Sequence, residues 1–260
     1  MKGCSIRSPQ SAIRNRAAWY KETFTRSGYL RLYEDVERRA APAEVQGAAR
    51  LLNLQPGERV LDLACGYGRH LVELERLGIH GAGVDLSDML LAHARQYARR
   101  DGLPLRYVRA DLRALPFCGS FDAAINFFLS FGYLSDDEDA LVLRECLQVL
   151  RPGGRFLLDS WNAQRVIDGL RPKVVEEREE AVITERSWYD PSSRRIEWAS
   201  RAAFHDGTTE KWECSVRAYT PRELRRLVAA VGFREVELFG DWAGAPFRPD
   251  SPRLLLRAVR

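Results

Sequence analysis

The strongest constraint on this chain is an alternation. Between Glu58 and Asn162, short apolar runs take turns with amphipathic stretches of helical spacing. "RVLDLA", "HGAGVDL", "LRYVRAD", "FDAAINFF" and "RFLLDSW" read as strands. "GRHLVELERLG", closed by Gly78, "SDMLLAHARQYARRDG", capped by Ser87 and ended by Gly102, and "DDEDALVLRECLQVL" read as helices. Pro152-Gly153-Gly154 predicts a turn into the fifth strand. Strands that are apolar on both faces need cover on both faces, which a parallel sheet with crossover helices supplies. The expected fold class is α/β, with a doubly wound, mostly parallel sheet.

The flanks differ in character. Residues 1–15 are polar and predict a disordered tail. Residues 16–55 predict a helical cap, with Trp19, Tyr20, Phe24, Tyr29 and Tyr33 on helix pieces broken near Ser27-Gly28, and with Pro42 opening a separate helix "AEVQGAARLLNL". Residues 56–173 are the expected core. From Val174 to Tyr219 the pattern changes to antiparallel strands, turning at Pro191-Ser192-Ser193 and at Asp206-Gly207. This is an insert after the fifth strand. Residues 220–260 predict a helix with Thr220 as N-cap, Pro221 at N1 and Glu223 at N3, then the strands "FREVELFG" and "RLLLRAVR", which bring the main sheet to seven.

Composition narrows the classes. The chain has 260 residues, 45% of them hydrophobic, enough for one sizeable core. No apolar run approaches the roughly 20 residues that span a bilayer, and the N-terminus has no apolar stretch of a secretory signal. Cys4, Cys65, Cys118, Cys146 and Cys214 are scattered, without zinc spacing, which predicts free thiols, a reducing cytoplasmic location and no metal. The net charge of +4 is spread among interleaved acids, which disfavours nucleic acid as a partner.

"VLDLACGYGRH" locates the chemistry. Asp62 interrupts an apolar strand, and Gly66 and Gly68 follow in the turn. In an open parallel sheet, ligands bind beyond the carboxyl ends of the strands. Glycine there lets a ligand approach the backbone. Asp85 ends the next strand, 23 residues after Asp62, and Asp111 ends the third. A carboxylate in the position of Asp85 suits a pair of ribose hydroxyls. A dinucleotide would want a third glycine where Leu71 stands, and Asp62 would repel its phosphates. Asp62 suits instead a ligand bearing an ammonium and a sulfonium, which favours S-adenosylmethionine over a nicotinamide cofactor.

"VLDLACGYGRH", "GVDLS", "RADLRALPF", "FDAAINFF" and "VLRPGGRFLLD" resemble, in order and spacing, the motifs of class I S-adenosylmethionine-dependent methyltransferases. The resemblance covers roughly Glu58 to Asn162, and the stretch from Thr220 to Arg260 is similar to the family's closing helix and hairpin. It implies a Rossmann-like fold with S-adenosylmethionine as cofactor. Asp62, Ala64 and Gly66 would face the methionine part, Cys65 beside them would also bind the cofactor, and Gly68 would shape the turn. Ala64 departs from the first glycine that many members carry. Asp85 would hold the ribose, Leu86 and Met89 would lie on the adenine, Asp111 would meet its amino group and Leu112 would cover the ring. Asn126 and Phe127 would lie on the sulfonium side. "YLRLY" is similar to a segment that caps the cofactor in small-molecule enzymes, which nominates Tyr29 and Tyr33.

The implied reaction is in-line transfer of a methyl group to an N, O or C nucleophile of a small molecule. No catalytic residue is assigned, because a base is needed only where the acceptor must lose a proton first. "NFFLSFGYL" lacks the N/D-P-P-Y/F pattern of adenine- and amide-methylating relatives. Phe131, Tyr133, Trp161, Arg217 and Tyr219 are expected acceptor contacts, with Trp188, Trp198 and Trp212 as lid candidates. His70 and His205 read as surface or turn residues that could serve as bases. The insert predicts either a lid or a homodimer contact. An RNA or tRNA methyltransferase, a nicotinamide oxidoreductase and a non-catalytic cofactor-binding protein stay as alternatives.

Overall fold

In the computed structural model, which describes residues 19–128 and 130–260, two helices come first: α1 (Trp19–Thr23) and α2 (Ser27–Leu52). The alternating region then forms β1 (Arg59–Leu63), α3 (Arg69–Arg76), β2 (His80–Asp85), α4 (Asp88–Arg100), β3 (Arg106–Arg109), β4 (Phe121–Asn126), α5 (Asp136–Val149) and β5 (Leu150–Trp161). After α6 (Ala163–Asp168), the insert contributes β6 (Val174–Glu177), β7 (Ala181–Asp190), β8 (Arg195–Phe204) and β9 (Thr209–Arg217). Finally α7 (Pro221–Val231), β10 (Arg234–Phe239) and β11 (Arg253–Val259) follow. The expected tail over residues 1–15 lies outside the described residues.

Seven strands make the main sheet in the order β10-β11-β5-β4-β1-β2-β3. β1 to β5 run parallel, and β11 is antiparallel to both β5 and β10. The order reverses between β1 and β4, so their connections leave in opposite directions and open a crevice at the strand tips. β6 to β9 form a second, antiparallel sheet.

Successive side chains of a strand point to opposite faces. Leu61, Leu63, Ala124, Phe156 and Leu158 pack on Leu143, Val149, Leu224 and Val228 of α5 and α7. Val60, Ile125 and Leu157 pack on Val45, Leu52, Leu71 and Leu91 of α2, α3 and α4. The side of the sheet that Asp62 shares with Val60 is therefore the side of α2 and α3. Ser87 caps α4 by accepting from Leu90 N, and Thr220 with Glu223 closes a capping box on α7.

Two expectations need correction. Pro42 opens no helix; it lies exposed inside α2, which runs unbroken through 26 residues. Ala41, Val45, Ala48 and Leu52 are buried on one stripe of that helix. Each buried branched side chain contributes roughly 1.5–3 kcal/mol, and together they outweigh the roughly 3 kcal/mol cost of an internal proline. Pro152-Gly153-Gly154 is not a turn ahead of β5 but an irregularity within it. Gly153 has φ +75°, and the register with β4 shifts between Phe121 and Ala123.

Helix α1 lies along β9. Trp19 Nε1 donates to Ser215 O at 3.1 Å, Thr23 Oγ1 to Glu213 O at 3.3 Å and Arg26 Nη1 to Lys211 O at 2.8 Å. At the far end of α1, Ser87 Oγ donates to Phe24 O at 2.7 Å.

Candidate active site

A cavity of about 650 Å³ sits over the tips of β1 to β4, roofed by α1, the start of α2 and one face of the insert. Asp62, Ala64, Cys65 and Gly66 enter it from β1 and its turn. Asp85, Leu86 and Met89 come from the end of β2, Asp111 and Leu112 from that of β3 and Phe127 from that of β4. Tyr29, Tyr33, Tyr133 and Trp161 complete the expected residues that line it.

The turn after β1 is held by its neighbour strand. Cys65 N donates to Val84 O at 2.9 Å, and Gly66 N to Asp85 Oδ2 at 2.9 Å. Ala64 takes φ +60°, a left-handed conformation that costs an alanine roughly 1–2 kcal/mol. Gly66 has φ +55°, and a Cβ added there would meet no protein atom within 4 Å, because it would project into the cavity. Gly68 has φ +79° and lies behind the cavity; a Cβ there would overlap the Tyr107 hydroxyl and ring. Gly66→Ala is accordingly expected to cost roughly 1–2 kcal/mol of stability through backbone strain alone. Gly68→Ala is expected to cost roughly 2–4 kcal/mol, because overpacking is added. Urea melts of both variants check the order, and equal costs would contradict it.

Asp85 is presented by two backbone amides, Gly66 N on Oδ2 and Ser87 N on Oδ1 at 2.8 Å. Burial nonetheless raises its pKa. Asp111 is clamped by Arg113, with Nε at 3.0 Å and Nη2 at 2.6 Å, and this pairing holds its carboxyl below the usual range. Asp62 is fully buried, and its Oδ2 has no hydrogen-bond partner. Burial pushes its pKa up to about 8, against the pull of Arg69 and with a push from Asp85.

Beneath Asp62 lies a buried network that the sequence reading missed. Glu37 of α2 accepts from Tyr29 OH at 2.8 Å, Tyr67 OH at 2.9 Å and Arg69 Nη1 at 2.9 Å. Arg69 lines the cavity, and its Nε and Nη2 are buried without a hydrogen-bond partner. The signal was present in the sequence: Tyr29, Tyr33, Glu37, Ala41 and Val45 share one helical stripe, so an acid stands on a face that is otherwise apolar. His70 is no surface residue. It is buried, lines the cavity and meets Glu44 Oε2 through Nε2 at 2.9 Å. Burial and the Arg69 charge push its pKa down to about 4, so the ring is neutral at pH 7.

Five expected site residues lie outside the cavity. Gly68 is the N-cap of α3. Asn126 is buried behind the tip of β1, where its Nδ2 donates to Leu63 O at 2.7 Å. Phe131 and Tyr219 are core residues with ring centroids 5.6 Å apart, and Tyr219 OH donates to Asp139 Oδ2 at 2.8 Å. Arg217 is tied to Asp136 at 3.1 Å and Glu223 at 2.9 Å. Phe131, Arg217 and Tyr219, expected as acceptor contacts, thus do not line the cavity. Trp198 and Trp212 do line the cavity, and Trp188 does not. His205 stays at an exposed turn.

Among the described residues, no helix is long and apolar enough to cross a membrane, and no group of three or more His, Cys, Asp or Glu could hold a metal ion.

Residues 60–154 match a family model described as a methyltransferase domain. Over 173 residues the chain is 28% identical to an uncharacterized protein of Mycobacterium tuberculosis, covering 65% of this chain and 61% of that relative's length. Over 215 residues it is 29% identical to a glycine/sarcosine N-methyltransferase of Parasynechococcus marenigrum, covering 81% and 76%. Its fold is shared with the crystal structure of an S-adenosylmethionine-dependent methyltransferase from Clostridium acetobutylicum, with TM-score 0.77 and 17% identity, covering 89% of this chain and 97% of that one. The domain match falls on β1 to β5, so this part of the chain is similar to a methyltransferase domain, and the fold around it is the one found in S-adenosylmethionine-dependent methyltransferases.

Proposed function

We propose that this chain transfers a methyl group from S-adenosylmethionine to a small-molecule acceptor in the cavity at the strand tips, in the cytoplasm. The observation that carries the site is a pair of buried ionisable side chains with unused polar atoms: Asp62 Oδ2 on one side and Arg69 Nε and Nη2 on the other. Buried polar atoms without a partner are costly. An amino-acid head group, bearing an ammonium and a carboxylate, satisfies both at once.

The other lining residues fit the rest of that ligand. Each Asp85 oxygen accepts one backbone N–H and keeps lone pairs for ribose hydroxyls. Leu86, Met89 and Leu112 offer apolar faces for a purine. Asp111, already engaged by Arg113, offers what acceptor capacity remains to the purine amino group. The open space at Gly66 admits close approach of the ligand. Tyr29, fixed through Glu37, and Tyr33 close the site from α2, with Phe127 opposite. Asn126 and Gly68 act behind the wall as positioning residues for the β1 tip and turn.

When bound, the cofactor supplies an already activated methyl group. The chain's own task is then orientation and exclusion of water, which can contribute on the order of 7–11 kcal/mol in favourable cases. Tyr133, Trp161, Trp198 and Trp212 form the aromatic side of the cavity, where the acceptor lies and where π faces attract cationic charge. The insert serves as the lid. The described cysteines are free thiols, which suits the cytoplasm.

Calorimetric titration with S-adenosylhomocysteine tests the site. Asp85→Ala is expected to weaken binding at least tenfold, because hydrogen bonds to a charged group contribute about 1.5–3 kcal/mol. Unchanged affinity in a folded variant would overturn the assignment. A screen of small molecules for cofactor-dependent release of S-adenosylhomocysteine tests the reaction.

A further inference from the structure

The insert places one charged side chain on the cavity wall. Glu185 pairs across β7 and β8 with Ser200, and Ser200 pairs across β8 and β9 with Trp212. Two residues along, Trp198 pairs with Cys214, and beyond it Ile196 pairs with Val216. These rows share a face, and Glu185, Trp198, Trp212, Cys214 and Val216 line the cavity from it. Glu185 is the only charged residue among these five.

Its surroundings leave it half used. The carboxylate accepts from Ser200 Oγ at 3.2 Å, and no ion pair engages it among the described residues. Arg178, the cation that acts on it electrostatically, is held instead by both oxygens of Glu176, at 2.9 and 3.1 Å, and lies 5.3 Å from the centre of the Tyr33 ring. Half-burial raises the Glu185 pKa, as expected for a carboxylate short of partners. Around it stand aromatic faces. Tyr33 and Trp212 pack on the same small cluster, and Trp198 lies against Trp161 with ring centroids 4.9 Å apart.

A carboxylate set among π faces favours a cation twice over, by direct charge and by the ring quadrupoles. The same wall has no cation to receive an anion. Resting on the cofactor assignment above, which uses Asp62, Arg69 and Asp85, we infer that the acceptor is a hydrophobic amine whose cationic group is held by Glu185 between Tyr33, Trp198 and Trp212. Acceptors that carry a carboxylate on that side, as free amino acids do, are repelled. Glu185 is a specificity-determining residue; the cationic nitrogen it holds has no lone pair, so it is either a second nitrogen of the acceptor or becomes the methylated one only after giving its proton to the Glu185 carboxylate.

Three indole probes of nearly equal shape separate the cases: tryptamine (cationic), tryptophol (neutral) and tryptophan (with an added carboxylate). Each is titrated by calorimetry into the full chain saturated with S-adenosylhomocysteine. Tryptamine is expected to bind at least tenfold more tightly than either of the others, and Glu185→Gln is expected to erase that preference. Affinity for S-adenosylhomocysteine within twofold of wild type shows that the variant is folded. Equal binding of the probes, binding of none of them, or a preference that survives in Glu185→Gln overturns the inference while leaving the cofactor site standing. Failure of S-adenosylhomocysteine to bind overturns the cofactor site and this inference with it.

Discussion

Glu37→Ala is expected to lower the stability of the protein by about 3–5 kcal/mol, the usual consequence of removing one partner from a buried ion pair. Glu37 is 3% exposed and is the acceptor for Tyr29, Tyr67 and Arg69 together. Without it Arg69 keeps its charge in the interior, and the nearest remaining carboxylate, Glu44, is 4.0 Å away. Tyr29 loses its hydrogen bond, while Tyr67 retains a longer one to Glu34 O at 3.3 Å. Glu37→Gln keeps the shape and an acceptor but not the charge, so it should fall between wild type and alanine. Urea unfolding followed by circular dichroism measures both. A Glu37→Ala variant within 1 kcal/mol of wild type, a margin that surface substitutions rarely exceed, would show that the network is not structural.

Asp62→Asn is expected to do two opposite things. It should abolish most binding of S-adenosylhomocysteine, on the order of a hundredfold, by removing the charge that meets the ammonium. It should also make the ligand-free protein more stable near pH 8, by roughly 1–3 kcal/mol, since a neutral amide loses less on burial than a carboxylate with an unpaired oxygen. The sign follows from linkage. The folded pKa is about 8 and the ordinary aspartate value is 3.8, so the folded state holds a proton that the unfolded state has released between those limits. Stability from this group therefore falls as pH rises from about 4 to 8, and Asn removes that slope. Binding an ammonium needs the ionised form, so wild type should release a proton on binding at pH 7. Calorimetry in two buffers of different ionisation enthalpy reads that proton. Its absence in wild type, or its persistence in Asp62→Asn, would place the proton elsewhere.

Much of this was legible beforehand because strand chemistry is local. Runs such as "VLDLA" and "FDAAINFF" are apolar on both faces, so the parallel sheet and its crevice follow from them, and Asp62, Asp85 and Asp111 mark the strand tips without any knowledge of packing. Parity along the insert was harder to read. Trp212, Cys214 and Val216 face the cavity, and one residue further Arg217 turns to Asp136 and Glu223. A period of two makes a single step decisive, and nothing local to "SVRAYT" fixes which parity faces inward. The Glu37–Arg69 and Glu44–His70 pairs were hidden for another reason. Each joins α2 to α3 across 32 or 26 residues, and in isolation a glutamate on a helix reads as solvated. Pro42 misled because helix-breaking is a local cost, and it was outweighed by a stripe of contacts to another part of the chain.

The contacts between α1 and β9 carry a consequence beyond the site. β9 ends its sheet, and the carbonyls at 211, 213 and 215 are every second one along it, those that would receive an additional strand. Side chains of Trp19, Thr23 and Arg26 occupy all three, while Trp19, Thr23 and Phe24 also roof the cavity. That short helix therefore covers a strand edge that would otherwise be a template for another polypeptide. One segment thus closes the cavity and guards the molecule against self-association.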